Sequence, residues 1–302
     1  MSEPAERPAL PRPPTARPRS GAAPAAEQPS RAELESIERQ LAALPTYSGA
    51  ELRELPSLDA LLVHHPGMGP GLNFATRLRW SPDETGLRLA QLEERLRAEG
   101  AWPALLVAEG LTEPADLPTW LAAAAWVEVE SERVMWTRRP PTVPHLDPEL
   151  RIEAVTRRSA AEVELVERIV FGLAVERAGE RTDQLAAAVD EGRLRAFALR
   201  SRGALVATAR LATGDGVAAI FGVGVLAEHR RQGYGALVTA VATRAGLASG
   251  GGLVWLSVDE RNLPAVELYR GLGYQPSFAW HRWVGSADGQ ARSSSSSRRS
   301  TD

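Results

Sequence analysis

Residues 217–237 read VAAIFGVGVLAEHRRQGYGAL. The apolar run from Val217 to Val225 predicts a buried strand. Leu226-Ala227-Glu228-His229 follows, then Arg230-Arg231-Gln232-Gly233-Tyr234-Gly235. From Gly233 to about Ala248 the apolar positions Leu237, Val241, Ala245 and Ala248 fall on one helical face. Strand, glycine loop and helix in that order make an anion cradle. The glycines admit close backbone approach. The first-turn N–H groups of a helix lack intrahelical partners, and its dipole favours negative charge there. Arg230 and Arg231 add cationic donors, and a pyrophosphate fits. A strand-to-helix turn with solvated arginines satisfies the same six residues equally well, so the loop alone leaves both readings open.

Gly222-Val223-Gly224-Val225-Leu226-Ala227 formally matches a GxGxxA dinucleotide fingerprint. That motif needs a helix at its glycines and an acid some 20 positions on, where Thr243 and Arg244 stand, so it is rejected. All 35 basic residues are arginine. Without lysine a Walker A loop is excluded. With no cysteine there is no disulfide, thiolate nucleophile or cysteine zinc site. A net charge of -3 gives no general pull towards nucleic acid or anionic membrane. With 44% hydrophobic residues the chain can bury a core, while no apolar run is long enough to span a bilayer and no secretory leader is read at the N-terminus. The expectation is a cytoplasmic protein without metal, nucleic-acid or membrane partners. Its oligomeric state is not readable.

The 302 residues suit two domains. Residues 1–30 and 286–302 have the composition of disordered tails. The proline-rich segment around 137–144 reads as a linker, giving units at 31–139 and 150–285 joined by 140–149. In the second unit, strand 151–155 precedes a helix opened by a capping-box pattern at Ser159 to Glu162. A helix over 182–191 follows, then an antiparallel meander of 196–200, 204–211 and 217–225. After the loop helix come strand 253–258, helix 262–272, and strands near 274–278 and 280–284. The first unit shows strands at 60–64, 74–79 and 104–108, helices at 82–99 and 117–124, and strands at 126–130 and 133–137.

With these elements in place, the second unit resembles the GNAT superfamily of acyl-CoA-dependent N-acetyltransferases. The resemblance rests on Arg230-x-x-Gly233-x-Gly235 between strand and helix. Behind it come strand-ending Leu256-Ser257-Val258, then Asn262, Ala265, Leu268 and Tyr269, then Leu272-Gly273-Tyr274. It covers about residues 150–284. It implies an α+β fold with a mixed, mostly antiparallel sheet flanked by helices. It also implies acetyl-CoA as cosubstrate and direct attack of a primary amine, from a small molecule or a peptide, in a ternary complex. By position, Val223 and Val225 would bind the pantetheine arm. The amides of Arg231, Gln232, Gly233, Tyr234, Gly235 and Ala236, with Arg230, would hold the pyrophosphate. Asn262 would meet the cofactor near its pantetheine end, and Tyr269 would protonate the departing thiolate. The strand 217–225 carries no general base; Glu228, His229, Asp259 and His281 are the nearby candidates. A CoA-binding regulatory or scaffold module without turnover is the alternative.

The first unit resembles a worn, smaller copy of the same half, as in tandem GNAT proteins. Trp126 aligns with Tyr274, Asp116-Leu117-Pro118 with Asn262-Leu263-Pro264, and Leu121 with Tyr269. The turn at residues 80–86 has no Arg-x-x-Gly-x-Gly and carries Asp83 and Glu84 where phosphates would lie. This implies one cofactor per chain. Asn73, Phe74 and the loop from Gly67 to Gly71 are candidates to close over the substrate.

Overall fold

The computed structural model describes residues 28–143 and 147–285. The expected disordered tails therefore lie outside the described residues, apart from 28–30, as do residues 144–146 of the expected linker.

The elements run α1 (Arg31–Ala43), β1 (Glu51–Leu55), β2 (Ala60–His64), β3 (Phe74–Thr76), α2 (Thr85–Ala98), β4 (Ala104–Ala108), α3 (Leu117–Ala123) and β5 (Val127–Thr137). The chain continues with β6 (Leu150–Ala154), α4 (Ala160–Phe171), α5 (Ala178–Asp190), β7 (Arg195–Ser201), β8 (Ala204–Gly214) and β9 (Val217–Val225). It ends with α6 (Tyr234–Ala248), β10 (Leu253–Val258), α7 (Leu263–Gly271) and β11 (Gln275–Val284). The fold is α+β, as expected.

All strands join one sheet in the order β1-β2-β3-β4-β11-β5-β10-β9-β8-β7-β6. The sequence suggests two units laid end to end, but the sheet crosses the boundary between them. Strand β5, from the first half, pairs antiparallel with β10 of the second, and β11 pairs antiparallel with β4 of the first. The halves have exchanged their last strands. Both halves repeat one pattern: antiparallel-linked strands (three in the first half, four in the second), a parallel neighbour, then a borrowed antiparallel strand. At the centre of the β5–β11 ladder Glu132 faces Trp280.

The two sheet faces differ. On one face a single apolar cluster runs through both halves, from Ile37, Val63 and Phe74 to Val134, Trp136, Trp255 and Trp280, beneath α1, α4 and α5. On the other face each half has its own cluster. Leu237, Val238 and Tyr269 pack over the second half, and Leu92, Leu96, Leu117 and Leu121 over the first. The shared face makes burial common to both halves, and burial is the main driving force for folding.

Helix α1 and strand β1 are additions to the sequence reading. α1 begins at a capping box in which the Glu33 N–H donates to Ser30 Oγ at 3.3 Å and the Ser30 N–H donates to Glu33 Oε2 at 2.8 Å. It clips the halves together. Glu38, whose side chain is fully buried, pairs with Arg77 and Arg79 of the first half. Gln40 accepts from Trp255 Nε1 at 2.7 Å and donates to the carbonyls of Gly214 and Val217 at 3.1 and 3.2 Å in the second. The cap expected at Ser159 to Glu162 is not made. The reciprocal cap lies one turn earlier, where the Thr156 N–H donates to Ser159 Oγ at 3.0 Å. α5 starts at Ala178, four residues ahead of its expected beginning. β5 and β11 are each one strand, because bulges absorb the breaks in their alternation. Among the described residues no helix is long and apolar enough to cross a membrane.

Candidate active site

β9 and β10 pair in parallel only at Val217–Leu253, Ala218–Val254 and Ala219–Trp255. Beyond Trp255 the ladder stops, so the β9 edge from Ile220 to Val225 and the β10 edge from Leu256 to Val258 part into a cleft. Gly222 opens it further. Its φ of +60° belongs to the left-handed region, and the β8–β9 register slips between Thr208 and Arg210 at this level. Val223 and Val225 thus stand on an edge of β9 that no strand covers.

After β9 a short 3-10 turn, Ala227–His229, leads to Arg230. Arg231 has φ +63° and Gly233 φ +80°, and α6 begins at Tyr234. Among the described residues, the backbone N–H groups from Arg231 to Ala236 donate to nothing, leaving an amide concavity at the head of a helix of 15 residues. Gly233 is required for its conformation, since nothing lies near its missing Cβ. Gly235 is required for packing: a Cβ there would sit 3.2 Å from Leu268 Cδ1. Its role is therefore to bring α6 against α7, beyond the close ligand approach expected from the sequence. Arg230 turns back, donating from Nε to the Val225 carbonyl at 3.2 Å. Arg231 and Gln232 are exposed. The His229 ring stacks on Tyr234 at 6.3 Å.

Asn262 caps α7 by accepting from the Ala265 N–H at 3.4 Å. Tyr269, on the same helix, is 8% exposed and packs against Tyr274 at 6.0 Å. The Tyr274 hydroxyl is engaged with Thr243 Oγ1 at 2.7 Å, whereas that of Tyr269 has no hydrogen-bond partner among the described residues. Burial, then the charge of Glu132, push the Tyr269 hydroxyl up to about 12, so it keeps its proton at neutral pH.

The four base candidates from the sequence are dispersed. Glu228 is exposed. Asp259 is tied to Arg261 at 2.8 Å, which holds its carboxyl below the usual range. His281 is on β11, separated from β10 by β5, between Glu128 at 3.2 Å and Glu109 at 3.4 Å. Sequence reasoning missed Glu132 and Ser257. Ser257 Oγ, on β10 just past the parting point, donates to Glu132 Oε2. Alternation along β5 puts Glu132 on the same face as Val134 and Trp136, which was the available signal. Its partner strand was hidden by the exchange. Among the described residues no group of three His, Asp or Glu side chains is placed to hold a metal ion.

The first half lacks this opening. The Glu113 N–H donates to the Leu78 carbonyl at 3.0 Å and the Trp80 N–H to the Glu113 carbonyl at 3.1 Å, bridging the gap beside β3 and β4. Asp83 and Glu84 lie just ahead of α2, and Leu121 is buried in the first half's own apolar cluster.

Residues 165–274 match the model of the acetyltransferase (GNAT) family. The chain therefore carries a GNAT acetyltransferase domain. The fold is shared with a GCN5-related N-acetyltransferase from Kribbella flavida (22% identity, TM-score 0.65, covering 86% of this chain and 97% of that one). It is shared too with a tandem GNAT protein from the clavulanic acid biosynthesis pathway (19%, 0.57, 75% and 78%). A GCN5-related N-acetyltransferase from Sphaerobacter thermophilus gives 18% identity and a TM-score of 0.54, over 84% and 93%. No curated protein matches the sequence.

Proposed function

We propose that this protein moves an acetyl group from acetyl-CoA to a primary amine by direct attack in a ternary complex, using the second half alone as the CoA site. The observation that carries this reading is the parting of β9 from β10 ahead of the unpaired amides at the head of α6. The open edge groups of Val223 and the Val225 N–H suit pairing with an amide-bearing pantetheine arm. The amides from Arg231 to Ala236, with Arg230, Arg231 and Gln232 around them, suit a pyrophosphate. Asn262 keeps its amide N–H groups for the same ligand. Tyr269 supplies a proton to the sulfur as the carbon–sulfur bond breaks. The bridged gap and the two acids of the first half favour a non-catalytic partner domain, and hence one acetyl-CoA per chain.

Free-thiol release from acetyl-CoA, followed over a panel of amino acids, polyamines and amino sugars, tests the activity. Thiol release that depends on an amine supports it. Acetyl-CoA binding without thiol release on any amine would instead support a regulatory or scaffold module.

A further inference from the structure

We propose that Glu132, carried alongside the second half's cleft by the exchanged strand β5, is the group that takes the proton from the attacking amine. This rests on the acetyl-transfer reading and assigns its missing base to the half that lacks a CoA loop.

The geometry is specific. Ser257 is two residues beyond Trp255, the last β10 residue paired with β9, so its bond to Glu132 of the neighbouring β5 holds the carboxylate across β10 at the level where the cleft opens. Glu132 lies on the sheet face under α1, α4 and α5, while Tyr269 packs on the opposite face with α6. An acetyl thioester threaded through the cleft would have its sulfur towards Tyr269 and its carbonyl carbon open to attack from the Glu132 side. The pseudo-symmetric positions in the first half are Trp280 for Glu132 and Leu121 for Tyr269, and Leu106, by strand register, for Ser257. That entire counterpart is apolar, so the polar trio belongs to the one open cleft.

Glu132 also differs from the other carboxylates on this face. Glu130 is held by Arg282 at 2.7 Å, Glu164 by Arg181 at 2.6 Å, and Glu167 by Arg210. Among the described residues Glu132 makes no ion pair. The charged and titratable groups facing it are Glu130 on its own strand, Asp259 just past the end of β10, Arg282 on β11 and Tyr269 on α7. Burial raises its carboxyl above the usual range, the Ser257 bond lowers it, Glu130 and Asp259 raise it, and Arg282 lowers it. A carboxylate with raised proton affinity is a better acceptor at neutral pH than a paired one.

The step balances. The nitrogen–carbon bond forms and the carbon–sulfur bond breaks. The amine proton passes to Glu132 and the Tyr269 proton to the sulfur, and water then returns a proton from Glu132 to Tyr269.

The test is the pH profile of acetyl-CoA thiol release with the best amine of the panel, for the wild type, Glu132→Gln, Ser257→Ala and Glu130→Gln. Acetyl-CoA affinity by calorimetry serves as the check on folding. Glu132→Gln is expected to lower kcat about 10²-fold at pH 7 with acetyl-CoA affinity unchanged. The acidic limb should move to higher pH in Ser257→Ala and to lower pH in Glu130→Gln. A Glu132→Gln enzyme with wild-type kcat and an unmoved acidic limb overturns the assignment while leaving acetyl transfer intact. A wild type that releases no thiol with any amine overturns the transfer reading itself, and this proposal with it.

Discussion

Two side chains at the residue scale carry opposite titration behaviour with different consequences. Tyr269 keeps its proton to about pH 12, so Tyr269→Phe should lower kcat roughly 10²-fold and leave acetyl-CoA affinity unchanged, as measured by steady-state kinetics and calorimetry. Unchanged turnover would remove it from the mechanism. Glu33 behaves the other way. Its bonds to Arg138, at 2.7 and 2.9 Å, hold its carboxyl at about 2, below the unfolded value. A group lowered on folding stabilises above its unfolded pKa and loses that contribution as pH falls through its folded one. Glu33 should therefore contribute about 1 kcal/mol at pH 7 that fades between roughly pH 4.5 and 2. In urea titrations Glu33→Gln should be less stable at pH 7, with the gap closing in that window. Tyr269 was legible because helix spacing and the Asn262 to Tyr274 pattern are local. Glu132 was not: its neighbour Ser257 is 125 residues away, and nothing in the sequence of either names the other.

At the scale of elements, α1 and β5 decide how the halves meet. α1 was not visible beside the proline-rich N-terminus. Its apolar face is interrupted by Glu38 and Gln40, which are buried because each has partners elsewhere. Glu38→Gln should cost about 3 kcal/mol, measured by urea unfolding, because Arg77 and Arg79 lose a fully buried counter-charge. A loss below 0.5 kcal/mol would show that water satisfies those arginines. The meander β7–β9 and the loop before α6 were readable because their signals, short turns and glycines, are contained within the segment. The cleft was not, since it depends on where the β9–β10 ladder stops.

For the whole molecule, the exchange of β5 and β11 and the shared apolar face argue that the two halves unfold together. Tryptophan fluorescence and far-UV circular dichroism should give one coincident urea transition, whereas two separated transitions would mean independent halves. The two-unit organisation was read from the proline-rich segment, and composition carries no information on strand partners. The repeat also sets the central claim. One half has an open cleft and a glycine-headed helix, and the other is bridged and acidic at the same place, so a full-length chain should hold a single acetyl-CoA in the second half. Calorimetric titration of the full-length protein with acetyl-CoA, beside Gly235→Leu, tests this most directly. One site per chain in the wild type and no binding in Gly235→Leu is the expected result. Two equal sites, or binding that survives in Gly235→Leu, would contradict it.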